Sequence, residues 1–426
     1  MPDLAHSLGP SPLSLGEPQL SVAQARAAIH AVLRPIVESE TVLLQDALGR
    51  VLHADLLSPI AVPAHDNSAM DGYAFAGDQL LPGQALTLKV TGTVFAGRPH
   101  EGPLAPGQAL RIMTGAVMPA GADTVVPQEL CRAEADAVHI EPGVIAPREN
   151  LRRGGEDLQV GQPALRAGRV LRAADIGLIA SLGLDSVAVR RRLRVALFST
   201  GDELRAPGQP LPPGCIYDSN RASLRAALQR LGAEVIDLGL VPDDPAALQA
   251  TFESAVAQAD AVLTSGGVSV GEADHTRALL ARMGEVAFWK VAMRPGRPFA
   301  FGPLRAASKQ AWLFALPGNP VAALVTFYAF AREALMVLAG ATPEPLPVLQ
   351  ARSAAAIRKR PGRTEFQRGT VSLATDGGWQ VRITGSQGAG ILRSLSEANA
   401  LVVLGHEQGS VAAGEPVDVW LFDGLL

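Results

Sequence analysis

From Leu193 to about Leu338 the chain alternates short apolar runs with segments of helical period, and this alternation restricts the fold more than any other feature. Val195-Ala196-Leu197-Phe198 reads as a buried strand that ends at Ser199-Thr200-Gly201-Asp202-Glu203. Residues 221–231 then place Leu224, Leu228 and Leu231 on one helical face. A second strand, Val235-Ile236-Asp237-Leu238-Gly239-Leu240, ends at Pro242-Asp243-Asp244, and a helix over residues 245–258 carries Leu248, Phe252 and Val256. Ala261-Val262-Leu263 feeds into Thr264-Ser265-Gly266-Gly267, with Asp274 opening the next helical segment. Further strands are read at residues 286–291 and 299–301. Trp312-Leu313-Phe314-Ala315-Leu316 runs into Pro317-Gly318-Asn319-Pro320 and a long helix. Strands and helices in this order give an α/β fold with a doubly wound, mostly parallel sheet.

In such a sheet ligands bind outside the carboxyl ends of the strands. Three of those ends carry acids: Asp202 and Glu203, Asp243 and Asp244, and Asp274. Converging carboxylates repel unless a cation or a proton intervenes. Mg²⁺ beside a phosphate satisfies them, because it takes one or two carboxylates plus waters and phosphate oxygens. Gly266 and Gly267 lack Cβ atoms, so backbone N–H groups can approach a phosphate closely. Pro317-Gly318-Asn319-Pro320 reads as a second phosphate seat, with Asn319 as a helix cap and Pro320 at the first helical position. Lys290, Arg294 and Arg297 supply positive charge for an oxyanion. Each feature has a plainer competing reading: a capping Asp, a well-capped helix, a solvated cationic face.

The flanking sequence differs in character. Residues 1–17 read as a frayed Pro-, Gly- and Ser-rich tail. Ser21 is a candidate cap for a first helix, and a short helix is read around residues 44–48. Between Asp71 and Ile140 the pattern is all-β, with Gly and Pro turns between strands, as expected for a small β domain inserted into another domain. Residues 163–180 return to that outer domain. Arg190-Arg191-Arg192 reads as a solvated hinge. Beyond Pro343, Pro345 and Pro347 the chain is again strand-rich and predicts a small β-barrel or curled sheet. The expected boundaries are 18–62 and 141–190 for the elongated outer domain, 63–140 for the inserted β domain, 191–342 for the α/β domain and 343–426 for the barrel.

Composition excludes several functions. The chain has 426 residues, 48% hydrophobic and 18% charged, and a net charge of −4. That balance argues against a nucleic-acid footprint over the whole protein. Cys131 and Cys215 are its 2 cysteines, too few and too far apart for a disulfide framework or a Cys-rich zinc site. No signal peptide is read, and the most apolar run, residues 321–330, is short for a membrane span. A cytoplasmic protein without membrane contact is the expectation.

Seven motifs, in order, resemble the bacterial MoeA family of molybdopterin molybdenumtransferases, relatives of the E domain of gephyrin. They are DNSAMDGY from Asp66, RIMTG from Arg111, RRGGED from Arg152, FSTGDEL from Phe198, SGGVSVGEAD from Ser265, Lys290 with Arg294 to Pro298, and LPGNP from Leu316. The resemblance covers nearly the whole chain. It implies an elongated two-segment domain, an inserted β domain, an α/β domain of the molybdopterin-binding type and a C-terminal β-barrel. It implies a homodimer whose cleft lies between the α/β domain of one subunit and the inserted domain of the other. The implied reaction inserts molybdate into the dithiolene of adenylyl-molybdopterin and releases AMP, with Mg²⁺ as cofactor.

By motif match the catalytic residues are Asp71, Asp157, Glu203, Asp243 and Asp274, with Glu203, Asp243 and Asp274 as metal ligands. The substrate-binding set is Thr114, Ser265, Gly266, Gly267, Lys290, Arg294, Arg297, Pro317, Gly318, Asn319 and Pro320. Other proteins of cofactor biosynthesis are expected partners. Arg294 and Arg297 stand where relatives often have Lys. Ala389 and Gly390 stand where relatives have Ser and His, which leaves open whether the barrel contacts ligand. The competing functions are a molybdopterin adenylyltransferase and a non-catalytic scaffold.

Overall fold

The computed structural model describes residues 19–266, 273–344 and 346–422, without the side chains of residues 273–275 and 277. Gly267 and the tail before residue 18 lie outside that description, as does the Asp274 side chain. The chain divides into two compact units. One comprises Met1–His53, Gly168–Arg172 and Val187–Leu426, and the other Ala54–Ala167 and Ala173–Ser186.

The first unit opens with helix α1 (Val22–Val32), capped as read: the Ser21 hydroxyl accepts from the Gln24 N–H while the Gln24 side chain accepts from the Ser21 N–H. Its buried stripe of Ala25 and Ile29 joins the main core. The expected helix at residues 44–48 is only a 3₁₀ turn, Leu44–Asp46, because no side-chain cap supports it and Gly49 ends it at φ +73°.

The α/β elements follow in order. They are β1 (Arg194–Thr200), α2 (Ser219–Arg230), β2 (Glu234–Val241), α3 (Pro245–Gln258), β3 (Ala261–Ser265), α4 (Ala273–Met283), β4 (Ala287–Lys290), β5 (Pro298–Ala306), β6 (Lys309–Leu316) and α5 (Pro320–Leu338). The sheet order is β2-β1-β3-β6-β5-β4. The first four strands are parallel, and β5 and β4 add an antiparallel edge. Apolar runs such as Val195 to Phe198 and Ala261 to Leu263 are fully buried because helices cover both sheet faces. On one face Phe198 meets Phe252 of α3 edge-on at 5.2 Å. On the other, Phe299 stacks on Phe330 of α5 at 5.1 Å. Helix α5 contains a π segment at Phe327–Ala331 and is long and apolar enough to cross a membrane. Most of it is buried inside the protein, as a core helix would be.

The barrel is a closed ring. Its strands are β7 (Leu349–Ser353), β8 (Thr364–Leu373), β9 (Trp379–Ile383), β10 (Ala400–Leu404) and β11 (Pro416–Leu421). Successive pairings β8-β9-β7-β11-β10 return to β8, so no edge stays open. Met293–Arg294 pairs with the start of β8 and hydrogen-bonds the α/β segment to the barrel.

Arg190, Arg191 and Arg192 are not a solvated hinge. The Arg191 fork donates to both Asp260 oxygens at 2.7 and 2.8 Å, and Arg190 and Arg192 donate to the carbonyls of Val37 and Gly232. A charge run looks solvated in sequence because its partners lie some 40–150 residues away.

The second unit is built on a six-stranded sheet in the order Thr124–Pro127, Gly72–Phe75, Gln108–Ile112, Leu86–Val94, Ala137–Ile140, Cys131–Glu134. Gly72 is required there, since a Cβ would sit 2.0 Å from the Val126 carbonyl oxygen. Helix Ala173–Ser181 buries Ile179.

Candidate active site

Strands β1, β2, β3 and β6 end at one sheet edge, with Thr200 opposite Val241, Ser199 opposite Ser265 and Ser265 opposite Leu316. A cavity of about 1240 Å³ opens there, lined by residues of the first unit. Its size suits a large ligand, since small-molecule pockets run from roughly 300 to 1,000 Å³.

One wall is glycine turns. Gly266 takes φ +96°, and a Cβ would stand 2.5 Å from the Thr200 carbonyl oxygen, so only glycine fits. Among the described residues, the only neighbour a Cβ on Gly318 would meet is Gly266 Cα, at 4.0 Å, leaving backbone exposed between the two turns. Asn220, in the first turn of α2, clamps them together. Its amide nitrogen donates to Ser265 Oγ and to the Gly318 carbonyl, both at 2.6 Å. Its Oδ1 is buried and, among the described residues, has no donor. A buried acceptor left this way costs about 1–3 kcal/mol, so it is a natural contact for a ligand or an ordered water.

Acids form the next wall. Asp202, Glu203 and Asp243 all line the cavity. The Thr200 hydroxyl donates to Asp243 Oδ1, and the Asp243 N–H donates to Asp202 Oδ1 at 3.2 Å. Asp244, by contrast, is spent on capping α3, accepting from the Ala247 N–H at 2.8 Å. Among the described residues no three His, Cys, Asp or Glu side chains form a closed metal cage. This donor set fits Mg²⁺, which keeps several waters and needs one or two carboxylates beside phosphate oxygens. Asp274 lies in the first turn of α4, with its side chain outside the description.

The third wall is cationic. Arg294 and Arg297 line it and are exposed, on a turn whose Gly296, at φ +97°, packs a bare Cα against Thr326 Oγ1. Lys290, at the end of edge strand β4, is not among the lining residues. The barrel contributes Arg363, Gln387 and Ala389 to the lining. The Ala389 carbonyl accepts from the Val321 N–H at 3.0 Å, docking the loop onto the start of α5. Beneath the loop, the buried Arg368 guanidinium donates to the carbonyls of Ser386, Gln387 and Gly388 and to Ser394 Oγ. Burial, with the nearby charge of Arg294, pushes its pKa down to about 10.

Asn319 does not cap α5 with its side chain, contrary to expectation. Pro317, Gly318 and Asn319 line the cavity, and Pro320 begins α5 as read. Asn220, Thr200, Arg363 and Gln387 escaped the sequence reading. Asn220 lies at the start of a helix, and Arg363 follows Pro361-Gly362, but neither signal distinguishes a ligand contact from a cap or a turn.

Asp71, Thr114 and Asp157 lie in the second unit. Asp71 Oδ1 accepts from the Thr114 hydroxyl at 2.6 Å and the Thr114 N–H at 2.7 Å. Those bonds, with the charge of Arg111, hold its carboxyl below the usual carboxylate range. Asp157 is exposed. The DNSAMDGY and RRGGED stretches, separate in sequence, form one antiparallel pairing, Leu151 with Ser68 and Arg152 with Asn67. Asp66 Oδ1 accepts from the Gly154 N–H across it at 2.7 Å.

A glycine-seated, acid- and arginine-walled cavity at the end of a parallel sheet, completed by a barrel, defines a class of multidomain α/β enzymes. Three family descriptions match the chain in order: the MoeA N-terminal region (domains I and II) over residues 20–183, a "probable molybdopterin binding domain" over 196–337, and the MoeA C-terminal region (domain IV) over 350–422. The molybdopterin molybdenumtransferase of Haemophilus influenzae is 43% identical over 408 residues, covering 96% of this chain and 100% of that one. The one from Nostoc is 39% identical over 89% of this chain and 88% of its own. Among solved structures, a molybdopterin biosynthesis MoeA protein of Pyrococcus horikoshii superposes with a TM-score of 0.81 at 27% identity, covering 95% of this chain and 100% of that one. The chain belongs to the MoeA family.

Proposed function

We propose that this chain is a molybdopterin molybdenumtransferase of molybdenum cofactor biosynthesis, which inserts molybdate into the dithiolene of adenylyl-molybdopterin with release of AMP. The observation that carries the reading is that glycine turns, carboxylates and arginines line one cavity together. The substrate carries both a phosphoanhydride and a site for an oxyanion, and this lining suits both.

Gly266 and Gly318 seat the anhydride phosphates on exposed backbone. Asn220 fixes the spacing of those two turns and offers Oδ1 to a ligand donor. Asp243 and Glu203, with Asp274, would hold Mg²⁺, which would supply neutralisation of the charge developing at the anhydride. Thr200 orients Asp243 through one oxygen and leaves the other for that role. Arg294, Arg297 and Arg363 attract molybdate and hold it beside the dithiolene, as fork-shaped donors suited to oxyanions. Asp71, oriented by Thr114, and Asp157 position waters or oxo groups from the partner subunit of a homodimer.

Full-length similarity to molybdenumtransferases and a barrel that reaches the cavity favour this over an adenylyltransferase or a scaffold. The test is AMP release from adenylyl-molybdopterin. It should require both molybdate and Mg²⁺; undiminished release in excess EDTA would remove the metal from the reaction.

A further inference from the structure

A second cavity, of about 230 Å³, is walled by segments around residues 49–51, 190–193, 230–233 and 332–341, all in the first unit. It shares no lining residue with the larger one. We propose that it is a binding site for a small phosphate-type oxyanion.

Six arginines line it, Arg50, Arg190, Arg191, Arg192, Arg230 and Arg332, and no acid does. Four carboxylates lie near them: Glu40 beside Arg50, Glu38 and Asp260 beside Arg191, and Glu333 beside Arg332. Among the described residues, six guanidiniums against these four carboxylates leave a surplus of two positive charges. Among the described residues Arg190, Arg192 and Arg230 make no ion pair. Arg190 and Arg192 each donate at 2.9 Å to a backbone carbonyl, of Val37 and Gly232. Such bonds hold a guanidinium in place without neutralising it.

The remaining wall is apolar, with Leu193, Leu231, Leu335 and Met336. Low-dielectric walls around charge of one sign focus the field and raise the local concentration of counter-ions. Arginine forks match phosphate oxygens in pairs. The volume is below the roughly 300 Å³ at which drug-sized ligands begin. It has room for about eight waters at ~30 Å³ each, hence for one tetrahedral dianion with part of its hydration. Free phosphate and the phosphate end of a monoester share this chemistry.

The test is isothermal titration of the intact protein with inorganic phosphate and, separately, with AMP, at ionic strength fixed with chloride. Wild type is compared with the Arg192→Gln/Arg230→Gln double variant. Neither residue lines the larger cavity, so molybdate-dependent AMP release should be unchanged. The double variant should lose one binding event by at least about tenfold in affinity, because two fork donors are gone. Loss seen with phosphate identifies the free ion, and loss seen with AMP alone identifies a monoester. Superimposable isotherms for the two proteins would overturn the proposal, as would heats that disappear when chloride is raised. Should the double variant not fold, Arg230→Gln alone, an exposed position without an ion pair, must show a smaller loss in the same direction.

Discussion

Asp71 shows how much one aspartate owes to its neighbour. Sequence singles it out by motif, but only the fold brings Thr114, 43 residues away, to bond it twice. Its pKa is lowered on folding, so its stabilising contribution is present above the unfolded value of about 3.9 and is lost as pH falls through the folded value. Thr114→Val keeps the shape and the backbone bond but removes the hydroxyl, the largest cause of the shift. The Asp71 carboxyl, followed by carbon NMR, should then titrate closer to the ordinary range, and the variant should lose acid stability at a higher pH than wild type. An unmoved titration would assign the shift elsewhere. Asn220 lay beyond sequence reading for the same reason that Thr114's role did. Its partners, Ser265 and Gly318, are 45 and 98 residues distant, and no local pattern encodes such a contact.

At the scale of elements, the strands and helices of the α/β region were legible because buried parallel strands are continuous apolar runs and the covering helices repeat at helical spacing. Helix starts were legible only in part. Asp244 and Asn319 both precede a proline at the first helical position, yet only Asp244 caps with its side chain. The difference lies in surroundings that sequence does not carry, since Asn319 lines the cavity. Asp244→Ala should therefore cost about 1 kcal/mol of stability, and Asn319→Ala less than ~0.5 kcal/mol, by chemical denaturation. Equal losses would return Asn319 to a capping role. The barrel was expected as a β-barrel or curled sheet, and its contribution to the cavity was left open. The loop that enters is held by Arg368, whose acceptors are backbone carbonyls and a serine that could belong to any loop.

For the whole molecule, the resemblance in ordered motifs carried more than composition did, and the family match bears it out over all three regions. The proposed homodimer makes a prediction of its own. Asp71→Ala and Asp243→Ala subunits, each inactive alone, are mixed after dissociation, with subunit exchange confirmed independently. If the partner supplies Asp71, each mixed dimer holds one intact cleft, and about a quarter of wild-type activity should return under two-fold symmetry. No recovery would place all the residues of a site in one subunit. The central claim, that the strand-end cavity performs the chemistry, is tested most directly by single-turnover AMP release from adenylyl-molybdopterin in wild type and in Asp243→Asn. Asparagine can still accept from the Thr200 hydroxyl, so the fold is kept while the charge is lost. Release should fall at least about tenfold, roughly 1.4 kcal/mol of transition-state stabilisation, at an unchanged melting temperature. An unchanged rate would contradict it.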